Sequence, residues 1–369
     1  MHKLMHIYFF ILTFCHLMSY HKLKLIIIIR ICNMKKKIKI LSTLLVLIMS
    51  IVFIGGCSND KTSSKETVRL NEVVRSVFYS PMYIAINEGF FEDEGLNIDL
   101  STGQGADKVM QNVLSKNADI GFCGPEQIIY IYNQGREDLP VLFAQLTQKD
   151  GSFLVGRNDK DFKWSDIKGK EIIGGRPGGV PEMALEYVMR KNNINPKSDV
   201  KLLTNLDFTA TASAFKSGTG DYVALFEPTA SMLEKEGNAK IVASIGESAG
   251  NMTYTCFFAS KSYMENNPET IQKFTNAIAK GQEWFHSHSS KEIAESIISF
   301  FPGTDMDIMI NVIDNYKKID ALAKDPKVSE EGLNNLIDVI KSYDSSLIKK
   351  TPAFSDIVDN TFAENVKTN

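Results

Sequence analysis

Downstream of residue 65 the chain alternates short β-branched or aromatic runs with stretches whose apolar residues recur at helical spacing. Runs of the first kind predict strands and runs of the second predict helices, and their alternation marks βαβ units around parallel sheets. Strands are expected over 67–77, 97–101, 118–122 and 141–145, with helices over 83–88, 107–115 and 126–133 between them. After 152–156 the rhythm restarts, with strands over 171–173, 200–203, 222–225 and 241–244 and helices over 181–191, 210–217 and 229–236. Two similar halves imply two lobes. From Pro268 onward the period is helical, with Ile271, Phe274, Ile278, Trp284 and Phe285 at core spacing. Returning helices packed on the first half make that lobe discontinuous, with crossings expected near Gly156 and Thr253. The expected body is therefore α/β with mainly parallel sheets and a hinge: a first lobe from 66–156 and 253–369, and a second from 157–252.

Upstream the pattern changes. Met34-Lys35-Lys36-Lys37 is a basic start, Ile40 to Ile54 is an apolar run broken only by Ser and Thr, and Gly55-Gly56 precede Cys57. That order is a secretory signal over 34–56. The apolar run is shorter than the roughly 20 residues that a membrane span needs. Ile-Gly-Gly-Cys resembles the lipobox of bacterial lipoproteins, which implies cleavage before Cys57 and a lipid on its thiol. Residues 1–33 place a second apolar, His-containing stretch ahead of a complete signal, so Met34 is the expected start of translation and 1–33 an upstream extension. Residues 57–65 are small and polar and read as a tether.

The 369 residues are 44% hydrophobic and 23% charged, which excludes disorder, collagen and coiled coil. Charge is unevenly placed. Residues 1–56 hold eight Lys or Arg and no Asp or Glu; without those eight, 33 of the 41 basic residues face 44 acidic ones, a net charge of −11. An acidic body does not attract a phosphate backbone, so a nucleic-acid partner is excluded. Beyond the tether the only cysteines are Cys123 and Cys256. Both lie in apolar runs without a spacing motif, and buried free thiols are expected.

Catalytic lookalikes fail on context. Gly246-Glu247-Ser248-Ala249-Gly250 matches G-x-S-x-G, but a nucleophile elbow needs a helix directly after the Ser, and 251–255 reads as turn then strand. His286 and His288, the two histidines of the mature chain, lack the i,i+4 spacing of a helical metal pair and are expected to face solvent. No P-loop motif occurs, and Gly103-Gln104-Gly105 lacks the third glycine of a dinucleotide loop. No catalytic residue, metal or cofactor is therefore expected. A serine hydrolase using Ser248 is the alternative from another class.

What remains is a set of loops at strand C-termini, where open α/β sheets bind ligands. The first half offers Phe78-Tyr79-Ser80-Pro81, Thr102-Gly103-Gln104-Gly105 and Gly124-Pro125-Glu126. The second offers Gly174-Gly175-Arg176-Pro177-Gly178-Gly179, Asp207-Phe208 and Phe226-Glu227-Pro228. Each precedes a helix start, where bare N–H groups are available to a ligand.

The stretch Phe78-Tyr79-Ser80-Pro81-Met82-Tyr83-Ile84-Ala85, followed by Glu88-Gly89-Phe90-Phe91-Glu92-Asp93-Glu94-Gly95-Leu96, Gly103-Gln104-Gly105 and Ala118-Asp119-Ile120-Gly121, resembles the nitrate/sulfonate/taurine and thiamine-precursor group of bacterial solute-binding lipoproteins. Ile167-Lys168-Gly169-Lys170-Glu171-Ile172, Gly175-Arg176-Pro177-Gly178-Gly179 and Phe226-Glu227-Pro228 agree with it, and the similarity covers nearly all of 66–300. The resemblance implies a periplasmic-binding-protein type II fold and capture of a small solute between two lobes. It further implies delivery to an ABC permease with a separate ATPase, and a monomer tethered by lipid to the outer face of the cell membrane. A yeast relative is an enzyme with a cysteine cluster for iron; this chain has no such cluster. Contacts to the solute are expected from Phe78, Tyr79, Thr102, Gln104 and Glu126 on one lobe and Arg176, Gly178, Gly179, Phe226 and Glu227 on the other.

The ligand type is the open question. Arg176, Ser80 and Thr102 suit an oxyanion such as a sulfonate or nitrate. Glu126, Glu182 and Glu227 at helix starts oppose a buried anion, although each carboxylate also has an ordinary use in stabilising its helix N-terminus. The aromatic residues suit a flat ring. A heterocyclic or amine-bearing solute, such as a thiamine-type pyrimidine, is expected ahead of a sulfonate.

Overall fold

A computed structural model describes residues 65–157, 161–206, 210–237 and 239–367. The expected upstream extension, the signal, Cys57 with its lipid, nearly all of the tether, Asp207 and Phe208 lie outside the described residues. The described residues form ten strands: β1 Glu66–Glu72, β2 Leu96–Thr102, β3 Ile120–Cys123, β4 Pro140–Thr147, β5 Ser152–Gly156, β6 Glu171–Ile173, β7 Lys201–Leu203, β8 Tyr222–Phe226, β9 Lys240–Ser244 and β10 Thr255–Ser260. They form two five-stranded sheets, ordered β2-β1-β3-β10-β4 and β7-β6-β8-β5-β9, flanked by helices.

Each sheet is mixed, half parallel and half antiparallel, where the sequence predicts mainly parallel pairing. β1 pairs in parallel with β2 and β3, and β6 with β7 and β8. β10 runs antiparallel to β3 and β4, and β5 antiparallel to β8 and β9. The cause is the crossing itself. A strand that carries the chain from one sheet into the other starts at the cleft and runs away from it, whereas its neighbours run toward the cleft.

This geometry also moves the first crossing. Residues 152–156, expected to end the first lobe, are the fourth strand of the second sheet, so the chain crosses at 148–151 instead of near Gly156. The return crossing spans 250–254. The two crossings are stitched by backbone hydrogen bonds, Met252 N to Gln148 O at 2.9 Å and Tyr254 N to Thr147 O at 3.2 Å.

The stretch expected as one strand over 67–77 is divided. β1 stops at Glu72, and Val77–Tyr79 forms a 3₁₀ turn whose first N–H groups are capped by Ser76. Pro81 then opens the helix Ser80–Asn87, which begins earlier than the apolar spacing predicts because proline fits a first helical turn. In the first lobe Phe122 stacks on Phe257 at 4.3 Å and Phe257 meets Phe274 at 5.1 Å, so the helix Pro268–Ser287 closes the core through Ile271, Phe274, Ile278 and Phe285. Trp284 is half-buried, its indole stacked on His288. Cys123 and Cys256 are buried free thiols, directly opposite each other on β3 and β10. Among the described residues no helix is long and apolar enough to cross a membrane.

Candidate functional site

The loops at the cleft ends of the strands converge on a buried aromatic cluster with Phe78 at its centre. The Phe78 ring lies 4.9 Å from Tyr316, 5.6 Å from Tyr79, 5.9 Å from Tyr254 and 6.1 Å from Phe226, all within the range of favourable ring contacts. Ser76 fixes the turn by accepting the Phe78 N–H at 3.2 Å. Gly151, on the first crossing, makes room for the ring: a Cβ there would come within 2.6 Å of it.

Four carboxyl groups are buried around this cluster, in two kinds. Glu72 is fully used, accepting from Arg75 Nε at 2.7 Å, Thr102 Oγ1 at 2.9 Å and Tyr83 OH at 2.6 Å. Glu227 is too, accepting from Ser231 N at 2.8 Å, Ser231 Oγ at 2.7 Å and Asn315 Nδ2 at 2.9 Å. Glu126 and Asp150 are not. Glu126 Oε1 accepts a long 3.3 Å bond from Gln127, while its Oε2 is buried without a partner. Asp150 Oδ1 accepts from the N–H of Ser152 at 2.7 Å and from its hydroxyl, while Oδ2 is buried without a partner. The Tyr254 hydroxyl lies beside Asp150 and also makes no hydrogen bond of normal geometry. Leaving such atoms unmade costs about 1–3 kcal/mol each, so they are expensive features for a fold to keep.

Burial sets the charge of these groups. Desolvation pushes Glu126 up to about 7 and Asp150 up to about 6, and it also raises Glu72 and Glu227 against the opposing effect of their hydrogen bonds. It raises the Tyr79 and Tyr254 phenols beyond their ordinary range as well. Glu126 holds its place because residue 124 is glycine: a Cβ there would sit 2.0 Å from Oε2.

The expected contact residues divide accordingly. Phe78, Tyr79 and Glu126 are buried in the floor, and the half-buried Phe226 packs against Phe78 there. Thr102 and Glu227 are engaged within the fold. Thr102 spends its hydroxyl on Glu72, and the Glu227 carboxylate is turned into the start of the helix Thr229–Lys235, leaving its backbone to touch Ser76 and Tyr316. Ser80 donates its hydroxyl to the Val77 carbonyl and is likewise committed.

Gln104, Arg176, Gly178 and Gly179 are not in the floor but at the rim. Gln104 is exposed with a left-handed φ of 62°. Arg176 Nη1 bonds Asp107 Oδ1 at 3.0 Å, and Tyr130 OH donates to Gly178 O at 3.3 Å, so both contacts join the lobes across the cleft. Glu182, just behind the rim, is buried beside Glu186 and raised by burial and by that neighbour.

Ser248 lies in the last turn of the helix Ile245–Ala249, not at a strand-to-helix elbow, and its hydroxyl bonds Ser244 O at 2.9 Å. His286 is exposed, as expected. His288 is half-buried against Trp284 instead of solvent-facing. Asp150, Tyr254 and Tyr316 were missed by sequence reasoning. The available signal was Lys149-Asp150-Gly151 directly after a strand, an acid at a strand end followed by glycine.

Comparison with known proteins adds relationship to geometry. A family model described as NMT1/THI5 like matches residues 78–292. A putative binding protein of Bacillus subtilis, YtlA, is 43% identical over 314 residues, covering 85% of this chain and 93% of the relative. A putative aliphatic sulfonates-binding protein of the same organism is 23% identical over 324 residues, covering 86% and 95%. The periplasmic aliphatic sulphonate binding protein SsuA of Escherichia coli superposes with a TM-score of 0.64 at 15% identity, covering 79% of this chain and 96% of that one. A desulfurization enzyme, DSZB, shares the fold with a TM-score of 0.60 at 14% identity, covering 81% and 98%, so the fold by itself does not decide between binding and catalysis. Two mixed sheets joined by two crossings, the match over more than half of the chain and the 43% identity to YtlA agree. The chain belongs to the NMT1/THI5-like family.

Proposed function

We propose that the protein is the extracytoplasmic solute-binding component of an ABC importer, anchored through a lipid on Cys57, which captures a small organic solute between its lobes and presents it to a membrane permease. The observation that carries this reading is the floor of the cleft, where rings and incompletely bonded acids from both lobes and both crossings are gathered under a rim that already joins the lobes. Contacts from two lobes favour a closed form, and hinge rotation at the crossings admits and releases the solute. Ser248 lies within a helix, and its hydroxyl is engaged by the Ser244 carbonyl and the Trp164 indole, which favours binding without chemistry.

The solute is read as a heterocyclic or amine-bearing molecule, with a thiamine-type pyrimidine as one example. A sulfonate, nitrate or taurine ligand is the second reading, favoured by the printed name of the 23% identical relative. The test is a thermal-shift screen of the full chain in mild detergent against aminopyrimidines, sulfonates, nitrate and amino acids. A ligand at a hundred times its Kd adds about 2.7 kcal/mol to stability. Stabilisation by one class supports the reading, and indifference to all four contradicts it. For the anchor, mass spectrometry of the membrane fraction is expected to find a lipidated Cys57 as the first residue; intact residues 34–57 would contradict it.

A further inference from the structure

We infer that Asp150, with Tyr254 beside it, is a specificity determinant of the interlobe site: it holds a hydrogen-bond acceptor for an N–H donor on a nitrogen-base head group of the solute and makes the site reject anions. This deepens the solute-binding reading and rests on it.

Asp150 lies on the first crossing and Tyr254 on the second, so the pair is built where the two lobes are joined. Ser152 holds Oδ1 with both its N–H and its hydroxyl, which fixes the carboxyl plane and leaves Oδ2 buried and unpartnered. The Tyr254 hydroxyl beside it is the neighbouring donor, although no bond of normal geometry joins the two, and Glu126 Oε2, from the helix start after β3, is a second buried acceptor without a partner. Around the aromatic cluster the other two buried acids are paired completely, with Arg75, Tyr83 and Thr102 on Glu72 and with Ser231 and Asn315 on Glu227. Glu182, behind the rim, also keeps Oε2 without a partner, and its neighbour there is the carboxyl group of Glu186. Nearby cations are already engaged: Arg75 by Glu72, Arg176 by Asp107, and Lys149 by the Ile319 carbonyl. An anion on this floor would meet two carboxyl groups and no unengaged cation among these three, whereas a group with N–H donors would suit the open acceptors of Asp150 and Glu126.

The experiment is calorimetric titration of the full chain in mild detergent at pH 8 with benzamidine, 4-aminopyrimidine and benzenesulfonate, aromatic probes of similar size and different charge. At least one nitrogen base is expected to bind, with benzenesulfonate inert. Asp150→Asn is expected to weaken that base at least tenfold while the unliganded Tm stays the same or rises, because the variant keeps the acceptor for Ser152 and removes the charge. Tyr254→Phe is expected to weaken it by a smaller factor. Glu126→Gln is a second route to the same loss if Asp150→Asn does not unfold cooperatively. Tighter binding of benzenesulfonate than of either base, or base affinity within twofold of the parent in Asp150→Asn, overturns the inference and leaves the solute-binding reading standing. Silence from all three probes also overturns it, and only silence across the wider thermal-shift screen as well removes that reading.

Discussion

Glu72 and Glu227 sit on one side of a contrast that Glu126 and Asp150 complete. All four are acids at strand ends or helix starts, all are buried, and desolvation raises all four. The first two make three hydrogen bonds each from neighbours on separate elements, while each of the others keeps one oxygen without a partner. Burial alone therefore does not mark a ligand site in this cleft. Glu182 Oε2 and Gln282 Oε1 are also buried without a partner, so the proposed site is distinguished by the open acceptors of Glu126 and Asp150 taken together with the aromatic cluster.

Breaking the satisfied kind carries the largest effect. Glu72→Ala leaves the Tyr83 and Thr102 hydroxyls without their acceptor and unpairs the partly exposed Arg75, and a loss of about 2–4 kcal/mol is expected in denaturant unfolding. A loss below about 1 kcal/mol would erase the distinction between the two kinds of acid.

The unsatisfied kind is read by pH. Glu126 and Asp150 hold protons more tightly folded, at about 7 and about 6, than their ordinary values of 4.5 and 3.8. Folded-state values above the unfolded ones mean a contribution present in full below the unfolded values and lost as pH rises through 6 and 7. The unliganded protein is expected to gain on the order of 2–3 kcal/mol per group between pH 8 and pH 4 from these two acids. A nitrogen base follows the opposite trend, because protons compete for its acceptors, so its affinity falls on acidification. Unfolding curves and titrations across that range check both directions, and parallel trends would contradict the contrast.

Smaller effects belong to the rim and to the rejected motif. Arg176→Ala removes an exposed interlobe pair, and a change of about 0.2–1 kcal/mol in solute affinity is expected, shrinking with salt. Ser248→Ala loses a hydroxyl that donates to Ser244 O and accepts a long 3.3 Å bond from the Trp164 indole; stability is expected to fall by about 0.5–1.5 kcal/mol, with affinity unchanged. Covalent labelling of Ser248 by an active-site serine probe would instead favour the hydrolase alternative.

Local pattern carried much of the fold. The helix Glu126–Asn133 and the strand Glu171–Ile173 are bounded as the sequence predicts, because turn residues and apolar period agree there. The apolar run 152–156 shows why lobe membership was harder: a buried central strand reads the same in either sheet, and its direction is set by the crossing. The site was legible to the same depth. Gly-Pro-Glu126 and Phe-Glu227-Pro look alike as helix starts, and what separates them is Ser231, four residues on where Glu126 has Tyr130, together with Asn315, supplied from a helix 88 residues further along. Asp150 reads as an ordinary turn acid until the return crossing places Tyr254 beside it.

The central claim is that a solute is held between the lobes on the floor formed by Phe78, Glu126, Asp150 and Tyr254. A crystal structure of the full chain with the probe that stabilises it best is the direct measurement. The account predicts one molecule in the cleft with a nitrogen about 3 Å from Glu126 Oε2 or Asp150 Oδ2 and a ring against the aromatic cluster. A probe seated outside the cleft, or an anionic group resting on those two carboxyls, would contradict it.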